Sequence, residues 1–210
     1  MASFLSNLRY VTWTALAVAL LFLIYFTTLS PVPIGDPVFW QAFWRWTHVL
    51  AGIMWIGHLW YFNFTQIPNA PKIPEEHRGP SIGKVIAPAA LYWFRWGAMF
   101  TLITGVLLAF NRGYLFEALT FGALDQPAFA VPRTIFIGIG MWLAIIMWFN
   151  VWFIIWPNQQ KALNINNKYP DLDAAAKAAA AKTAMLFSRT NTFLSVPMLV
   201  SMTGTSTLFG

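Results

Sequence analysis

The sequence has 210 residues, of which 58% are hydrophobic, 18% are aromatic and only 10% are charged. Soluble domains carry about 25% charged residues, so this composition excludes an ordinary soluble protein and predicts an all-α integral membrane protein with one polytopic domain. The chain has no cysteine and therefore no disulfide, thiolate metal ligand or c-type haem attachment. The net charge of +6 does not indicate a nucleic-acid-binding protein, because the basic residues are spread over loops beside apolar spans.

Apolar segments of membrane-spanning length occur five times along the chain. A helix rises 1.5 Å per residue, so about 20 apolar residues cross a hydrocarbon core of roughly 30 Å. Linkers rich in proline and glycine, including residues 68–80 and 111–131, separate these segments and are predicted to be loops. The predicted spans are residues 10–29, 40–66, 85–110, 132–156 and 190–208.

Residues 171–187 are predicted to form an Ala-rich helix outside the membrane. Asp171 is a candidate N-cap at its start. Lys177 and Lys182 make the segment too polar to cross lipid. We expect this cytoplasmic helix to lead into the fifth span, which Pro197 interrupts.

The distribution of lysine and arginine predicts the orientation of the spans. If the N-terminus is cytoplasmic, nine of these residues lie in cytoplasmic segments, three lie on the outer side, and Arg95 lies within a predicted span and is not counted. The three outer residues are Arg45, Arg112 and Arg133. Because cytoplasmic loops carry the excess of positive charge, we predict a multi-pass protein of the bacterial inner membrane with a cytoplasmic N-terminus and a periplasmic C-terminus.

The second predicted span, residues 40–66, contains His48 and His58, two of the three histidines in the chain. An imidazole in hydrocarbon needs a hydrogen-bond partner or a metal ion. The ten-residue spacing puts the two rings about 15 Å apart along the helix, whereas two axial nitrogens of one haem iron lie about 4 Å apart. The two histidines therefore cannot bind the same metal centre, and each is a candidate haem-iron ligand of a separate one.

Two interpretations of these histidines stay open. Either His48 or His58 binds a b-type haem, or both histidines are packing residues that hydrogen-bond the protein. A second axial ligand of such a haem would be a water molecule, another subunit or a methionine. The candidate methionines are Met54, Met99 and Met141.

Arg95 lies between Trp93 and Trp96 in the third predicted span. It either extends to the lipid headgroups within an aromatic belt or pairs with an anionic group of a cofactor or substrate. No Asp or Glu lies inside a predicted span, which disfavours an ion-coupled transporter.

Four segments of the chain resemble a known family. They are HVLAGIMWIGHLWYFNF (48–64), LYWFRWGAMFTLITGVLL (91–108), NVWFIIWPNQQKAL (150–163) and SRTNTFLSVPMLVSM (188–202). In this order they resemble the N-terminal membrane domain of bacterial membrane-bound urate hydroxylases, the urate oxidase N-terminal-like family. The resemblance implies urate oxidation with electron transfer to a cytochrome. It also implies that His48, Trp55 and Gly57 occupy the family's second-helix positions.

Members of that family carry a C-terminal c-type cytochrome domain, whereas this sequence has no cysteine for covalent haem attachment. We therefore expect an accessory transmembrane subunit of a larger bacterial redox assembly, respiratory or photosynthetic. Its expected partners are other membrane subunits, lipid and a separate cytochrome. The alternatives are a membrane-bound urate or purine oxidoreductase that passes electrons to that cytochrome, and a purely structural subunit. The candidate cofactor-binding residues are His48, His58, Arg95 and Trp55.

Overall fold

Helices make up most of this computed structural model, which describes residues 2–209. The α-helices of five or more residues are α1 (Leu8–Thr28), α2 (Pro37–Trp60), α3 (Ala87–Asn111), α4 (Leu115–Leu119), α5 (Pro132–Phe149), α6 (Trp156–Leu163) and α7 (Ala174–Leu208). Shorter α-helical turns cover Ala2–Leu5, Ile67–Asn69 and Glu75–Arg78, and 3-10 turns cover Ala70–Lys72 and Ile165–Asn167. The π-helical segments are Tyr61–Gln66, Gly79–Ile86 and Asn150–Ile155. Within residues 2–209 there is no strand, which confirms the predicted all-α class.

Three helical stretches are long and apolar enough to cross a membrane. Within the described residues they are Leu8–Thr28, Glu75–Asn111 and Pro132–Leu163, and they contain the first, third and fourth predicted spans. The second predicted span covers most of α2 and the π-helical segment Tyr61–Gln66, and the fifth lies in α7. Neither α2 nor α7, helices of 24 and 35 residues, is among the three apolar stretches. A total of five spans therefore stays a prediction.

Three of the prolines inside continuous helical stretches follow π-helical segments, and two of these three were predicted to end helices. Each follows the last residue of a π-helical segment by two positions; they are Pro68, Pro88 and Pro157. A proline lacks an N–H and its ring collides with the carbonyl four residues earlier, and a wider π-helical turn before it relieves both problems. The helix that begins with α5 consequently continues through α6 to Leu163 instead of ending at Trp156, and much of the predicted loop 68–80 is helical.

Helix α7 runs without a break from the first predicted segment, 171–187, into the second, 190–208, and it continues through Pro197, where the fifth span was predicted to be interrupted. No glycine or proline lies between the two segments to end the helix. The Asp173 side chain accepts a hydrogen bond from the Ala176 N–H at 2.6 Å, so Asp173 and not Asp171 is the N-cap. At about 52 Å, a helix of 35 residues is much longer than a hydrocarbon core of roughly 30 Å.

The linker predicted over residues 111–131 contains α4, which packs against α5. Gly138 permits this contact, because a Cβ atom there would collide with the Ala118 carbonyl. The indole N–H of Trp142 also donates a hydrogen bond to the Leu119 carbonyl at 2.9 Å. This part of the linker is therefore folded onto the helices.

Helices α2, α3, α5 and α7 form a bundle in which α2 packs mainly against α3, and α7 against α5 and α6. The apolar core includes Trp55, Leu59, Phe94 and Met147. No residue of α1 is buried, so α1 lies outside this core. We call the end of the bundle where α2 and α5 begin and α3 ends the cavity end, and the opposite end the packed end.

Candidate functional site

A cavity of about 900 Å³ lies between α2, α3, α5 and α7, towards the cavity end of the bundle. Most of its wall is apolar, with Val49, Ile56, Leu102, Val106, Ile137 and Leu199 among the lining residues. Ligand pockets in proteins measure about 300–1,000 Å³ and combine an apolar wall with a few polar groups. The cavity therefore has the size and lining of a site for a large, mainly apolar ligand.

His48 lines this cavity and is held against α3. Its Nδ1 atom lies 2.9 Å from the Thr101 carbonyl oxygen and 3.3 Å from the Thr104 hydroxyl. Gly105 leaves room for the ring, since a Cβ atom there would lie 2.8 Å from the His48 Cε1 atom. A carbonyl can only accept a hydrogen bond, so we assign the proton to Nδ1, which leaves the lone pair of Nε2 for a ligand.

His58 has a different environment. It is not among the residues that line the cavity in the described part of the chain. Its Nδ1 atom lies 2.7 Å from the carbonyl oxygen of Met54, one turn earlier on the same helix, and its ring is a neighbour of Phe62. The hydrogen bond of His58 is thus local to α2, whereas the hydrogen bond of His48 joins two helices and orients the ring at the cavity.

Trp55 belongs to both the apolar core and the cavity wall. Its side chain is 1% exposed, and no hydrogen-bond partner for the buried Nε1–H occurs among the described residues. The backbone of Trp55 touches α3 at Gly97, where a Cβ atom would lie 3.0 Å from the Trp55 nitrogen. The structure therefore brings His48 and Trp55 to one cavity, on one face of α2.

Arg95 lies elsewhere, towards the packed end. Its guanidinium carbon is 3.7 Å from the ring centroid of Trp156 and 5.3 Å from that of Trp152. A guanidinium stacked in this way gains a cation–π interaction of about 0.5–2 kcal/mol. The structure does not bring Arg95 to the cavity that His48 lines.

The charged residues at the cavity end were not among the site residues predicted from the sequence. Arg45 on α2, Arg112 after α3 and Arg133 on α5 all line the cavity, and we call these three residues the arginine mouth. Burial lowers the pKa of Arg112, and the nearby charges of Arg45 and Arg133 lower it further. Burial also raises the pKa of Tyr114, which lines the cavity beside them. A sequence signal existed, since these arginines are the three basic residues assigned to the outer side.

The side chains present fit a haem better than a directly bound metal ion. Within residues 2–209, no group of three or more His, Asp or Glu side chains could hold a metal ion. A haem iron needs only one axial ligand from the protein, and His48 offers an oriented imidazole in a large apolar cavity. Of the three methionines considered as second ligands, Met141 lines the cavity.

The fold and the cavity define a helical protein with helices long and apolar enough to cross a membrane and with room for a ligand within its bundle. Residues 114–207 match the family described as "Urate oxidase N-terminal". The match covers slightly less than half of the chain, from Tyr114 through α4, α5 and α6 into α7, and it confirms the resemblance to the urate oxidase N-terminal-like family. His48 lies outside the matched residues. Comparisons with curated proteins and with solved structures gave no match.

Proposed function

We propose that this chain is an accessory transmembrane subunit of a bacterial membrane redox assembly, respiratory or photosynthetic, and that His48 binds one b-type haem in the cavity. When bound, the haem supplies one-electron transfer. The protein contributes an oriented axial ligand and an apolar wall that limits the access of water. Other membrane subunits and a separate cytochrome are the proposed partners.

One observation carries this proposal: the His48 imidazole is held by the Thr101 carbonyl at 2.9 Å on the wall of a 900 Å³ cavity. A second hydrogen bond on the far ring nitrogen is the usual arrangement for a metal-binding histidine, because it sets the tautomer and the ring direction. A histidine with only a packing role does not need to line a ligand-sized cavity. His58, bonded within its own helix, is not proposed as a ligand.

The test is a reduced-minus-oxidised absorption spectrum of the protein purified from native membranes. We expect a Soret band in the wild type, its loss in His48→Gly, and its partial return when free imidazole is added to that variant. His58→Gly is the matched control, since it removes the other histidine of the same helix, and it should keep the band. Retention of the full band in His48→Gly would refute the assignment. A protein that never contains haem would favour the purely structural alternative.

Membership of an assembly has its own test. Purification in a mild detergent should recover the chain with other membrane subunits, and recovery as a free monomer alone would contradict the proposal.

The proposed topology has five spans, with the N-terminus in the cytoplasm. The chain has no native cysteine, so single cysteines can be labelled unambiguously. Gly35→Cys should react with an impermeant maleimide in whole cells, and Asn166→Cys should react only after permeabilisation.

The family match favours a second candidate, a membrane-bound urate or purine oxidoreductase. In this case the cavity would take the purine, and electrons would pass to a separate cytochrome. Purified protein with urate and added cytochrome c should then show urate-dependent reduction of the cytochrome. His48→Gly should lose that reduction if the cavity is the site. Absence of urate-dependent reduction with the wild type would remove this candidate.

A further inference from the structure

The arginine mouth combines three positive charges from three different parts of the chain. Arg45 lies one helical turn before His48 on α2, Arg112 caps the end of α3, and Arg133 is the second residue of α5. All three line the cavity that His48 also lines. The positive charge is therefore concentrated at one end of the same cavity.

These arginines are close enough to act on one another. The charges of both Arg45 and Arg133 oppose the charge of Arg112, and no carboxylate of residues 2–209 is among the groups that affect it. Repulsion between like charges is stronger in partly apolar surroundings than in water, so an anionic ligand would stabilise the three guanidiniums. Within residues 2–209, the arginine mouth is thus a binding surface for acidic groups.

Tyr114 adds a neutral donor to this mouth. It lines the cavity beside the arginines, and burial raises the pKa of its hydroxyl. The phenol therefore stays protonated near neutral pH and can donate a hydrogen bond to an acidic oxygen. Guanidinium forks and a phenol together suit carboxylates well, since arginine binds a carboxylate with two parallel hydrogen bonds.

We propose that Arg45, Arg112 and Arg133 bind the two propionate groups of the haem, so that its acidic edge faces the cavity end and its apolar ring fills the interior. This inference rests on the proposed function, because it presumes that His48 binds the iron. The reason is chemical complementarity. A haem is a flat apolar ring with both carboxylates on one edge, and the cavity has an apolar wall with all three guanidiniums at one end.

The test compares two ligands that differ only in those acidic groups. Haem-free protein in detergent is titrated with haem b and, separately, with its dimethyl ester, and binding is followed by Soret absorbance. Wild-type protein should bind haem b at least about tenfold more tightly than the uncharged ester, since each charged hydrogen bond lost is worth about that factor.

Substitutions of single arginines test which residues cause the preference for haem b over its dimethyl ester. Arg112→Gln and Arg133→Gln should each weaken haem b binding about tenfold while leaving the affinity for the ester unchanged. Arg189→Gln is the control, because it removes an exposed arginine of α7 that does not line the cavity. Circular dichroism and gel filtration verify that each variant is folded. The wild-type comparison of the two ligands remains decisive if a variant fails to fold.

The outcomes separate the two proposals. If haem b and its ester bind equally, and both require His48, the arginine mouth does not bind propionates although the haem site stands. If haem b binds more tightly than the ester, and Arg112→Gln and Arg133→Gln keep this preference, another part of the chain binds the propionates and this inference is wrong. If neither ligand binds, both proposals are overturned.

Discussion

The two ends of the helix bundle differ in how their polar and charged side chains are arranged. Towards the packed end, the Asn150 amide donates a hydrogen bond to the Asn191 side-chain oxygen at 2.8 Å, and the Asn191 amide donates to the Met147 carbonyl at 2.9 Å. Arg95 stacks on two tryptophans there, although its buried Nε and Nη1 atoms have no hydrogen-bond partner among the described residues. At the cavity end, the three residues of the arginine mouth line one cavity, and no carboxylate of residues 2–209 is among the groups that shift the pKa of Arg112.

This difference separates structural from ligand-binding polar groups. A buried polar group without a partner costs free energy, so groups that serve the fold alone are expected to be paired within the protein. Groups that serve a ligand have to stay free until it binds. The packed end is therefore expected to govern the free energy of unfolding, and the cavity end the affinity for a ligand.

The largest effect on stability is expected from Asn191→Ala. The Asn191 side chain is 0% exposed and makes one hydrogen bond as acceptor and one as donor. Its removal takes away the acceptor of the Asn150 amide and one of the donors to the Met147 carbonyl, and should lower the free energy of unfolding by about 3 kcal/mol. Denaturant titration in detergent micelles measures this loss.

Thr190→Ala is the control for Asn191→Ala. The Thr190 side chain is exposed, and its hydroxyl donates only to the Leu186 carbonyl on its own helix, at 3.1 Å. We expect a change in the free energy of unfolding within about 0.5 kcal/mol. Equal losses for the two variants would contradict the structural role assigned to the Asn150 and Asn191 pair.

The contact between α2 and α3 gives the second prediction. A Cβ atom at Gly97 would lie 3.0 Å from the Trp55 nitrogen and 3.3 Å from the Trp55 Cα, so Gly97→Ala forces two backbones apart. The free energy of unfolding should fall by about 2 kcal/mol. Gly52→Ala is the matched control, since a Cβ atom there has nothing within 4 Å. That substitution in the interior of α2 should be neutral or stabilise by up to about 1 kcal/mol.

Composition and hydrophobic pattern predicted the helical class and the long apolar helices, because these depend on properties of whole segments. Helix ends were less predictable. Pro68 and Pro157 were predicted to end helices, but each follows a π-helical segment and the helix continues. Each π-helical segment ends two residues before a proline, and proline by itself predicts the end of a helix and not its continuation.

Part of the candidate site was predicted from the sequence. His48 was selected because an imidazole in an apolar helix needs a partner, Trp55 was selected because of the family resemblance, and both line the cavity. Arg112 and Arg133 were not selected, because they flank spans in separate parts of the chain and only the tertiary fold brings them together. Their place among the few basic residues on the predicted outer side was the available signal.

The third prediction concerns the orientation of His48. A Cβ atom at Gly105 would lie 2.8 Å from the His48 Cε1 atom and 3.1 Å from its Nδ1 atom, so Gly105→Ala displaces the ring from Thr101. Haem binding should weaken about tenfold, equal to about 1.4 kcal/mol, while the fold is kept. Gly83→Ala provides the control, because its Cβ atom would make only an ordinary 3.8 Å contact with Leu163. Unchanged haem affinity in Gly105→Ala would show that the hydrogen bond to Thr101 does not position the ligand.

The smallest effect is expected from Arg95→Gln. Loss of the charge over Trp156, 3.7 Å from the ring centroid, should lower the free energy of unfolding by about 0.5–1 kcal/mol and leave the affinity for haem unchanged. Arg189→Gln, at an exposed position of α7, should change neither quantity. Denaturant titration and Soret titration of the same preparations measure both. If Arg95→Gln weakened haem binding as strongly as Arg112→Gln, a charge at the packed end would serve the ligand, and the division between the two ends would fail.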